Sequence, residues 1–485
     1  MILELALGAV VASVFIAATH FARVTKSGEQ WILAIAQFVY YGGHPLLDDD
    51  KRFKHLVSAY RPVVVSFTLV ILKLAAIAFA ALLTLAAGIL AIHFMLGAER
   101  AEILSIDYWK SSSKILLKWP FLVGTLLPLF GLPFLPKSAR NEDYSALDKF
   151  LHYAFLGNTG LVKLQWWLER RLTSKVSDTK QNVYVSGLAR SGSTALMQYL
   201  GQLPDFKSLS YQNMPFLFMP RLASTLIPRK KQREQERAHK DGMTHSLSTY
   251  EALEEPFWLH FAGVDFVADE SLNRHEVDEA THANYSRFRA LIAGDKTYLA
   301  KNNNHLLRAA SIQRLDKQNG QRTRTIIPFR EPVAQAKSLL QQHVTLSKLQ
   351  QDNRFALDYM DFLVHHEFGL HLKAHSLGGG DVSTQNADPE DLAHWLEAWS
   401  RFYRDAFASF SSDPDACFFC YEDFLIDPKG SLMRLCPFLE ISPSQFDSIE
   451  VKPWGKTKQV PEVNPNEESV ELYNRLREAA INHEA

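Results

Sequence analysis

Between Met1 and Pro136 the apolar positions run together in blocks instead of recurring at helical or strand spacing. Three blocks carry no charge: one between Glu4 and Arg23, one between Lys73 and Glu99, and one between Lys118 and Lys137. A helix needs about 20 apolar residues to cross the hydrocarbon core. The second block, Leu74 to Ala98, exceeds that length and is rich in Ala and Leu, and it therefore predicts a membrane span. The first, LALGAVVASVFIAATHFA, predicts an anchor and not a cleavable signal, because Glu4 precedes it and His20-Phe21 stand where a small-residue cleavage motif belongs. The third contains Pro120, Pro128, Pro133 and Pro136, so a crossing and a kinked interfacial segment fit it equally.

From 141 to 180 the apolar residues return at helical spacing, with Trp166, Trp167 and a basic end. Both a membrane-surface helix and a helix packed on the next domain fit that pattern. The period then shortens. Asn182-Val183-Tyr184-Val185 reads as a strand, Gly187 to Thr194 as a glycine loop, and Ala195 to Leu200 as the start of a helix; Arg324 to Phe329 reads as a second strand. The pattern predicts an α-helical transmembrane region over 1–136, an amphipathic connector over 137–180, an α/β domain over 181–460 with a parallel sheet flanked by helices, and a C-terminal tail over 461–485.

Charge sharpens this division. Charged side chains make up about 14% of the chain up to Pro136 and about 25% beyond it, the second being an ordinary value for a soluble domain. The totals, 52 Lys+Arg and 53 Asp+Glu, exclude a nucleic-acid coating protein, which would carry a basic excess. Three cysteines cannot form a disulfide framework. Six basic residues between Arg23 and Arg61 mark that segment as cytoplasmic, since Lys and Arg on short loops favour that side. With a third crossing the α/β domain is also cytoplasmic, which predicts a multi-pass membrane protein; with two crossings it lies outside.

The glycine loop carries the chemistry. Successive backbone N–H groups and a helix N-terminus hold an anion, and GxxxxG has the spacing of a triphosphate loop. The Lys of that loop is replaced by Ser193, and the basic residue stands at Arg190. The second strand ends in Arg330 where a metal-binding Asp would serve phosphoryl transfer. A cation with hydroxyls at Ser191, Ser193 and Thr194, and no metal ligand, suits a terminal phosphate ester. Arg330, at a strand end, is placed to grip a second phosphate.

These residues resemble the sulfotransferases that use 3′-phosphoadenosine 5′-phosphosulfate (PAPS). SGLARSGSTAL is similar to their 5′-phosphosulfate loop, and Phe329-Arg330-Glu331-Pro332 with Ser338 has the spacing of their 3′-phosphate site. Lys301-Asn302-Asn303-Asn304-His305-Leu306-Leu307-Arg308 resembles the KxPxHxxR stretch of bacterial members, with Asn303 where Pro is usual. Tyr421-Glu422-Asp423-Phe424-Leu425-Ile426-Asp427-Pro428 is similar to YEDLxxDP. The four motifs span 181–455 and leave the membrane region uncovered. The resemblance implies the sulfotransferase fold, PAPS as co-substrate without a metal, and nucleotide contacts from Arg190, Ser191, Gly192, Ser193, Thr194, Arg330 and Ser338. It also implies a carboxylate base before an aromatic residue: Glu255 first, Glu254 second. Arg190 is expected to face the leaving oxygen, and Lys301 to donate to that oxygen or to the transferring group.

His343, His365, His366, His371 and His375 invite a metal reading, but the spacing misses the zinc-protease motif. Glu367, His371 and His375 are expected on one helix face lining the acceptor cavity. Cys417 and Cys420 fall in an apolar strand and point to opposite faces. The expected activity is sulfuryl transfer to a hydroxyl or amine of a membrane-associated lipid or glycan, with membrane lipids as surroundings. The alternative is a non-catalytic membrane protein that binds a nucleotide or anionic headgroup.

Overall fold

The computed structural model describes residues 24–95, 144–173, 176, 179–226, 235–236, 244–245, 253–379, 388–447, 449 and 467–483. The first and third apolar blocks lie outside them. The chain divides into two compact units, one reaching to Ala154 and one from Phe155 onward, with 43–46 counted in the second.

In the first unit, α1 (Val24–Gly43) and α2 (Asp49–Met95) are antiparallel. Trp31 meets Phe67 with ring centroids 5.2 Å apart, Tyr41 stacks on His55 at 4.8 Å, and Lys73 Nζ donates to Ser27 Oγ at 2.8 Å. From Val24 to Arg61 the chain is therefore helical apart from the connection at 44–48. Helix α2 begins at Asp49, well ahead of the span predicted from Leu74, and takes in Lys51, Arg52, Lys54 and Arg61, because nothing between Asp49 and the apolar block interrupts helical bonding except Pro62. At 1.5 Å per residue it is about 70 Å long. Its stretch Asp49–Ile77 is long and apolar enough to cross a membrane and is mostly exposed, Phe53, Val65 and Leu72 among the outward side chains. The short α3 (Ala146–Phe155) places Tyr153 against Tyr40.

The second unit opens with α4 (Thr159–Leu172), so the amphipathic segment is two helices and not one. Trp166 is buried against Phe261 and Phe288, while Trp167 stays exposed. The elements that follow are β1 (Gln181–Val185), α5 (Ser193–Leu200), β2 (Phe206–Lys207), α6 (Pro220–Leu226), β3 (Gln235–Glu236), β4 (Thr244–His245), α7 (Glu255–Phe261), β5 (Ser271–Asn273), α8 (Glu279–Ala293), β6 (Thr297–Lys301), α9 (Ala309–Gln318) and β7 (Arg322–Phe329). Then come α10 (Pro332–Asp352), α11 (Arg354–Phe362), β8 (Ala374–Ser376), α12 (Leu392–Phe410), β9 (Ala416–Cys420), α13 (Tyr421–Ile426), α14 (Pro428–Leu439) and α15 (Glu467–Glu478). Glu169 of α4 caps α6: its carboxylate accepts from the Arg221 and Leu222 amides, each at 3.1 Å.

Five strands form a parallel sheet in the order β2-β6-β1-β7-β9. Helices cover both faces. Val183 and Val185 pack toward Leu196, Leu200 and Leu435, while Tyr184 points the other way, its hydroxyl 2.6 Å from that of Tyr285 and its ring stacked on His305 at 3.7 Å. Near the N-terminal edge Asp316 receives Arg289 bidentately at 2.6 and 2.7 Å and His282 at 2.7 Å.

The expected C-terminal tail is part of this domain. Leu472 and Leu476 of α15 are buried, and Asn482 bonds the backbone of Cys420 in both directions, Cys420 N to Oδ1 at 2.7 Å and Nδ2 to Cys420 O at 2.8 Å. Its apolar residues at helical spacing gave it a face to bury.

Candidate functional site

The C-terminal edge of the sheet gathers the site. Lys301 pairs in register with Val185, the last residue of the strand that leads into the glycine loop. Phe329 pairs with Cys420, so Arg330 and Tyr421 are the first residues past a matched pair, and the Arg330 guanidinium lies 5.2 Å from the centre of the Tyr421 ring.

The loop itself is tightly bound. Gly192 caps α5 in the left-handed region, φ +88°, and a Cβ there would collide with the Tyr421 ring. Gln335, fully buried on α10, holds the loop to the strand end: Nε2 donates to Ala189 O at 2.9 Å, and Oε1 accepts from Arg330 N at 3.2 Å. Arg190, also at positive φ (+66°), donates from Nε to Ser338 Oγ at 2.9 Å. Ser191 and Ser193 are buried at the start of α5, where first-turn amides have no helical partner. Glu331 does not pair with Arg330: its side chain caps α10, accepting from Val333 N and Ala334 N. Glu422, which accepts from Glu331 N at 3.1 Å, lies 3.9 Å from Arg330 Nε, and burial raises its carboxyl above the ordinary value. Arg330 Nε itself is buried and makes no hydrogen bond among the described residues. A buried, unbonded guanidinium nitrogen beside a glycine cradle fits a bound phosphate.

The two expected bases occupy a different setting from the one the sequence implied. Glu255 is 3% exposed and bidentate to Arg308, accepting from Nη1 at 2.5 Å and from Nη2 at 3.2 Å. Glu254 accepts from Trp258 Nε1 at 3.2 Å, Tyr298 Oη at 2.9 Å and Asn302 Nδ2 at 3.0 Å, and burial raises its carboxyl. Carboxylates committed to internal donors hold structure, and the acceptor proton requires a group with an open face. The reason is local: a 3₁₀ turn over His305–Leu307 carries Arg308 back against the N-terminus of α7. His305 is wholly buried against Tyr184, and burial holds its ring well below the usual histidine range.

The three asparagines after Lys301 fan out to separate partners. Asn302 serves Glu254 and Glu255; Asn303 Nδ2 donates to Glu367 Oε1 at 2.7 Å; Asn304 Nδ2 donates to Val364 O at 3.1 Å while its Oδ1 faces His375 Nε2 at 2.8 Å. Sequence comparison at Asn303 registered only a missing proline.

The expected helix through the histidines does not form. Helix α11 stops at Phe362, Val364 (φ +53°) and Gly369 (φ +86°) turn the chain, and His375 lies in β8. His371 is drawn outward to Asp361, 2.7 Å from Oδ1, which raises its basicity. Glu367 and His375 nevertheless line one open-sided recess, with Leu188, Leu339, Trp395 and Phe402. Burial opposes ionisation of Glu367, but His365, Asn303 and His375 together hold its carboxyl well below the usual range.

No protein-family model and no curated relative matches the chain. Among solved structures it is similar to a sulfotransferase from Mycobacterium tuberculosis at 15% identity and a TM-score of 0.35, covering 78% of this chain and 99% of that one. It is also similar to a sulfotransferase from Alicyclobacillus acidocaldarius (14%, TM-score 0.28, 61% and 90% covered) and to a sulfotransferase domain from the curacin biosynthetic pathway (14%, 0.31, 62% and 98%).

Proposed function

We propose that the chain is a membrane-anchored sulfotransferase that moves a sulfuryl group from PAPS to a hydroxyl or amine of a membrane-associated acceptor. The observation that carries this reading is the convergence of Arg190 and Arg330 around Tyr421 and Gly192 at one sheet edge, with Arg330 Nε making no hydrogen bond among the described residues. Arg190, Ser191, Gly192, Ser193 and Thr194 would hold the 5′-phosphate, and Arg330 and Ser338 the 3′-phosphate. Bound there, PAPS supplies an activated sulfuryl group. Arg190 and Lys301 would stabilise the negative charge that grows on the leaving phosphate oxygen. The pair Glu255–Arg308 acts as the rigid backing that fixes the turn after Lys301.

Helix α2 supports a membrane setting, and the basic residues Lys51, Arg52 and Lys54 at its start favour the cytoplasm for that end. A return through 119–136 would make the protein multi-pass and its catalytic domain cytoplasmic. The test is transfer of radiolabel from [³⁵S]PAPS into lipid or glycan fractions of isolated membranes, together with binding of adenosine 3′,5′-bisphosphate to the solubilised protein. Binding without transfer to any fraction would favour the non-catalytic reading.

A further inference from the structure

We infer that α4 is the surface by which the α/β domain lies on an anionic lipid leaflet, with Trp167 at headgroup depth and Lys163, Arg170 and Arg171 against the lipid phosphates. This rests on the membrane setting of the proposed function and names the face that meets the bilayer; it uses no step of sulfuryl transfer.

Helix α4 has two unlike halves. Val162, Gln165, Trp166 and Glu169 are buried against the domain. Each polar member of that half is committed: Gln165 Nε2 donates to Phe155 O at 2.7 Å, Trp166 Nε1 to Asn284 Oδ1 at 3.3 Å, and Glu169 accepts from the two α6 amides. Lys163, Leu164, Trp167, Arg170 and Arg171 follow one another at spacings of three and four residues, which gathers them on the opposite half, and all five are exposed. The helix has one acidic residue, Glu169, and it faces inward. The outward half therefore carries three cations and no anion.

The apolar members of that half point to lipid. Trp167 is 59% exposed and is the only exposed tryptophan among the described residues, with Leu164 and the terminal Leu172 also exposed. An indole pairs an apolar body with one N–H donor and concentrates at membrane–water interfaces. A helix that shows Trp and Leu among Lys and Arg lies in the plane of the headgroups, where the phosphates meet its cations and the acyl boundary takes its apolar side chains. The same chain carries the stretch Asp49–Ile77 of α2, long and apolar enough to cross a membrane, so a bilayer is the surface at hand. Arg170 is already held in place: its Nη1 donates to Asn284 Oδ1 at 3.2 Å and its guanidinium lies 5.9 Å from the centre of the Trp166 ring. Thr159 Oγ1 is 3.0 Å from His260 Nδ1 on α7, the helix whose first residue, Glu255, grips Arg308. A docked α4 thus sets the orientation of the elements that back Lys301.

The experiment reconstitutes the full chain, without nucleotide, into vesicles of dibrominated phosphatidylcholine, which quenches nearby tryptophan, either alone or mixed roughly 2:1 with phosphatidylglycerol. The share due to Trp167 is the difference between the parent and Trp167→Phe. At ~0.1 M salt, where screening reaches ~10 Å, phosphatidylglycerol should raise that share about twofold or more; at ~1 M salt, where it reaches ~3 Å, the rise should vanish. Lys163→Gln with Arg171→Gln should abolish the rise, since each cation near an anionic surface strengthens docking about fivefold. Lys163→Arg with Arg171→Lys keeps both charges and should keep it, which separates charge from packing. Because the rise is also read as total quenching in the parent, the result stands even if Trp167→Phe fails to fold. Equal quenching in the two kinds of vesicle, or a rise that survives ~1 M salt or the double glutamine variant, overturns docking on anionic lipid. Trp167 emission that instead changes with protein concentration in detergent assigns the face to a second copy and overturns it as well. A parent chain that does not stay with vesicles of phosphatidylcholine alone overturns the anchor on which the inference rests. Calorimetry of adenosine 3′,5′-bisphosphate is run on the same proteins: absent nucleotide binding beside the expected quenching overturns the proposed sulfuryl transfer and leaves the docking face, and the converse leaves the nucleotide site.

Discussion

Arg190 Nε donates to Ser338 Oγ at 2.9 Å, joining two motifs that lie 148 positions apart in the chain. One belongs to the glycine loop after β1 and the other to the second turn of α10, and the parallel pairing of β1 with β7 brings them to one edge. The two proposed phosphate contacts thus share a side-chain bond. Arg190→Ala and Arg330→Ala should each weaken adenosine 3′,5′-bisphosphate binding about tenfold or more, since a charge-assisted phosphate contact contributes ~1.5–3 kcal/mol. Ser338→Ala should cost less in the Arg190→Ala background than alone. Unchanged affinity in both arginine variants by titration calorimetry would sink the nucleotide assignment.

Gly192 should tolerate no side chain. Its φ of +88° and the Tyr421 ring beside it give Gly192→Ala both strain and a clash. Nucleotide affinity is expected to fall at least tenfold, and Tyr421→Ala in the same chain should restore part of it by clearing the space. If calorimetry shows Gly192→Ala binding like the parent, the loop is not held against Tyr421 in solution.

Glu255→Gln should act on stability before it acts on chemistry. Removing one member of a buried pair leaves Arg308 uncompensated, at a cost of ~3–5 kcal/mol. Guanidinium unfolding monitored by tryptophan fluorescence should show an earlier midpoint with the slope unchanged. A variant as stable as the parent but slow in turnover would return Glu255 to the role of base.

Much of this was legible locally. Strand, loop and helix around Arg190 are contiguous, as are β7, Arg330 and α10, so hydrophobic period and turn residues suffice to place them. The Glu255–Arg308 pair joins positions 53 apart through a 3₁₀ turn, and no periodicity reports such closure. The histidine segment misled for a different reason: Glu367, His371 and His375 recur every four residues, yet Gly369 sits between them and takes the left-handed conformation that ends a helix. That glycine was the available signal. For α15 the spacing of Ser469, Leu472 and Leu476 already marked an inward face.

Acid should unfold the domain through Asp316. Burial pushes its carboxyl up, but Arg289 more than offsets this and holds it well below the ordinary 3.8. A depressed value means stability present above pH 3.8 and lost as the pH falls through the lower, folded value. The denaturation midpoint should therefore drop below about pH 4. Asp316→Asn should be less stable at pH 7 and lose that part of the acid dependence; an identical acid limb in both proteins refutes the assignment.

The proposed sulfuryl transfer should persist in excess EDTA. Ser193 stands where a triphosphate loop has Lys, and β7 is followed by Arg330 and not by a carboxylate, so the site offers cations for the charge that Mg²⁺ would otherwise neutralise. A strict Mg²⁺ requirement would move the protein to phosphoryl transfer.

The clasp of Asn482 on Cys420 can close only after residue 482 has been made. During translation the apolar α2 leaves the ribosome long before β9 is closed, and β9 itself waits for a partner 62 positions further along the chain. In that interval an edge strand of Ala416-Cys417-Phe418-Phe419-Cys420 has no cover, and uncovered apolar edges recruit other strands. If α2 inserts in the bilayer as proposed, it tethers the nascent chain there and holds it apart from free chains, and that would shield the late-closing edge of the sheet from premature association.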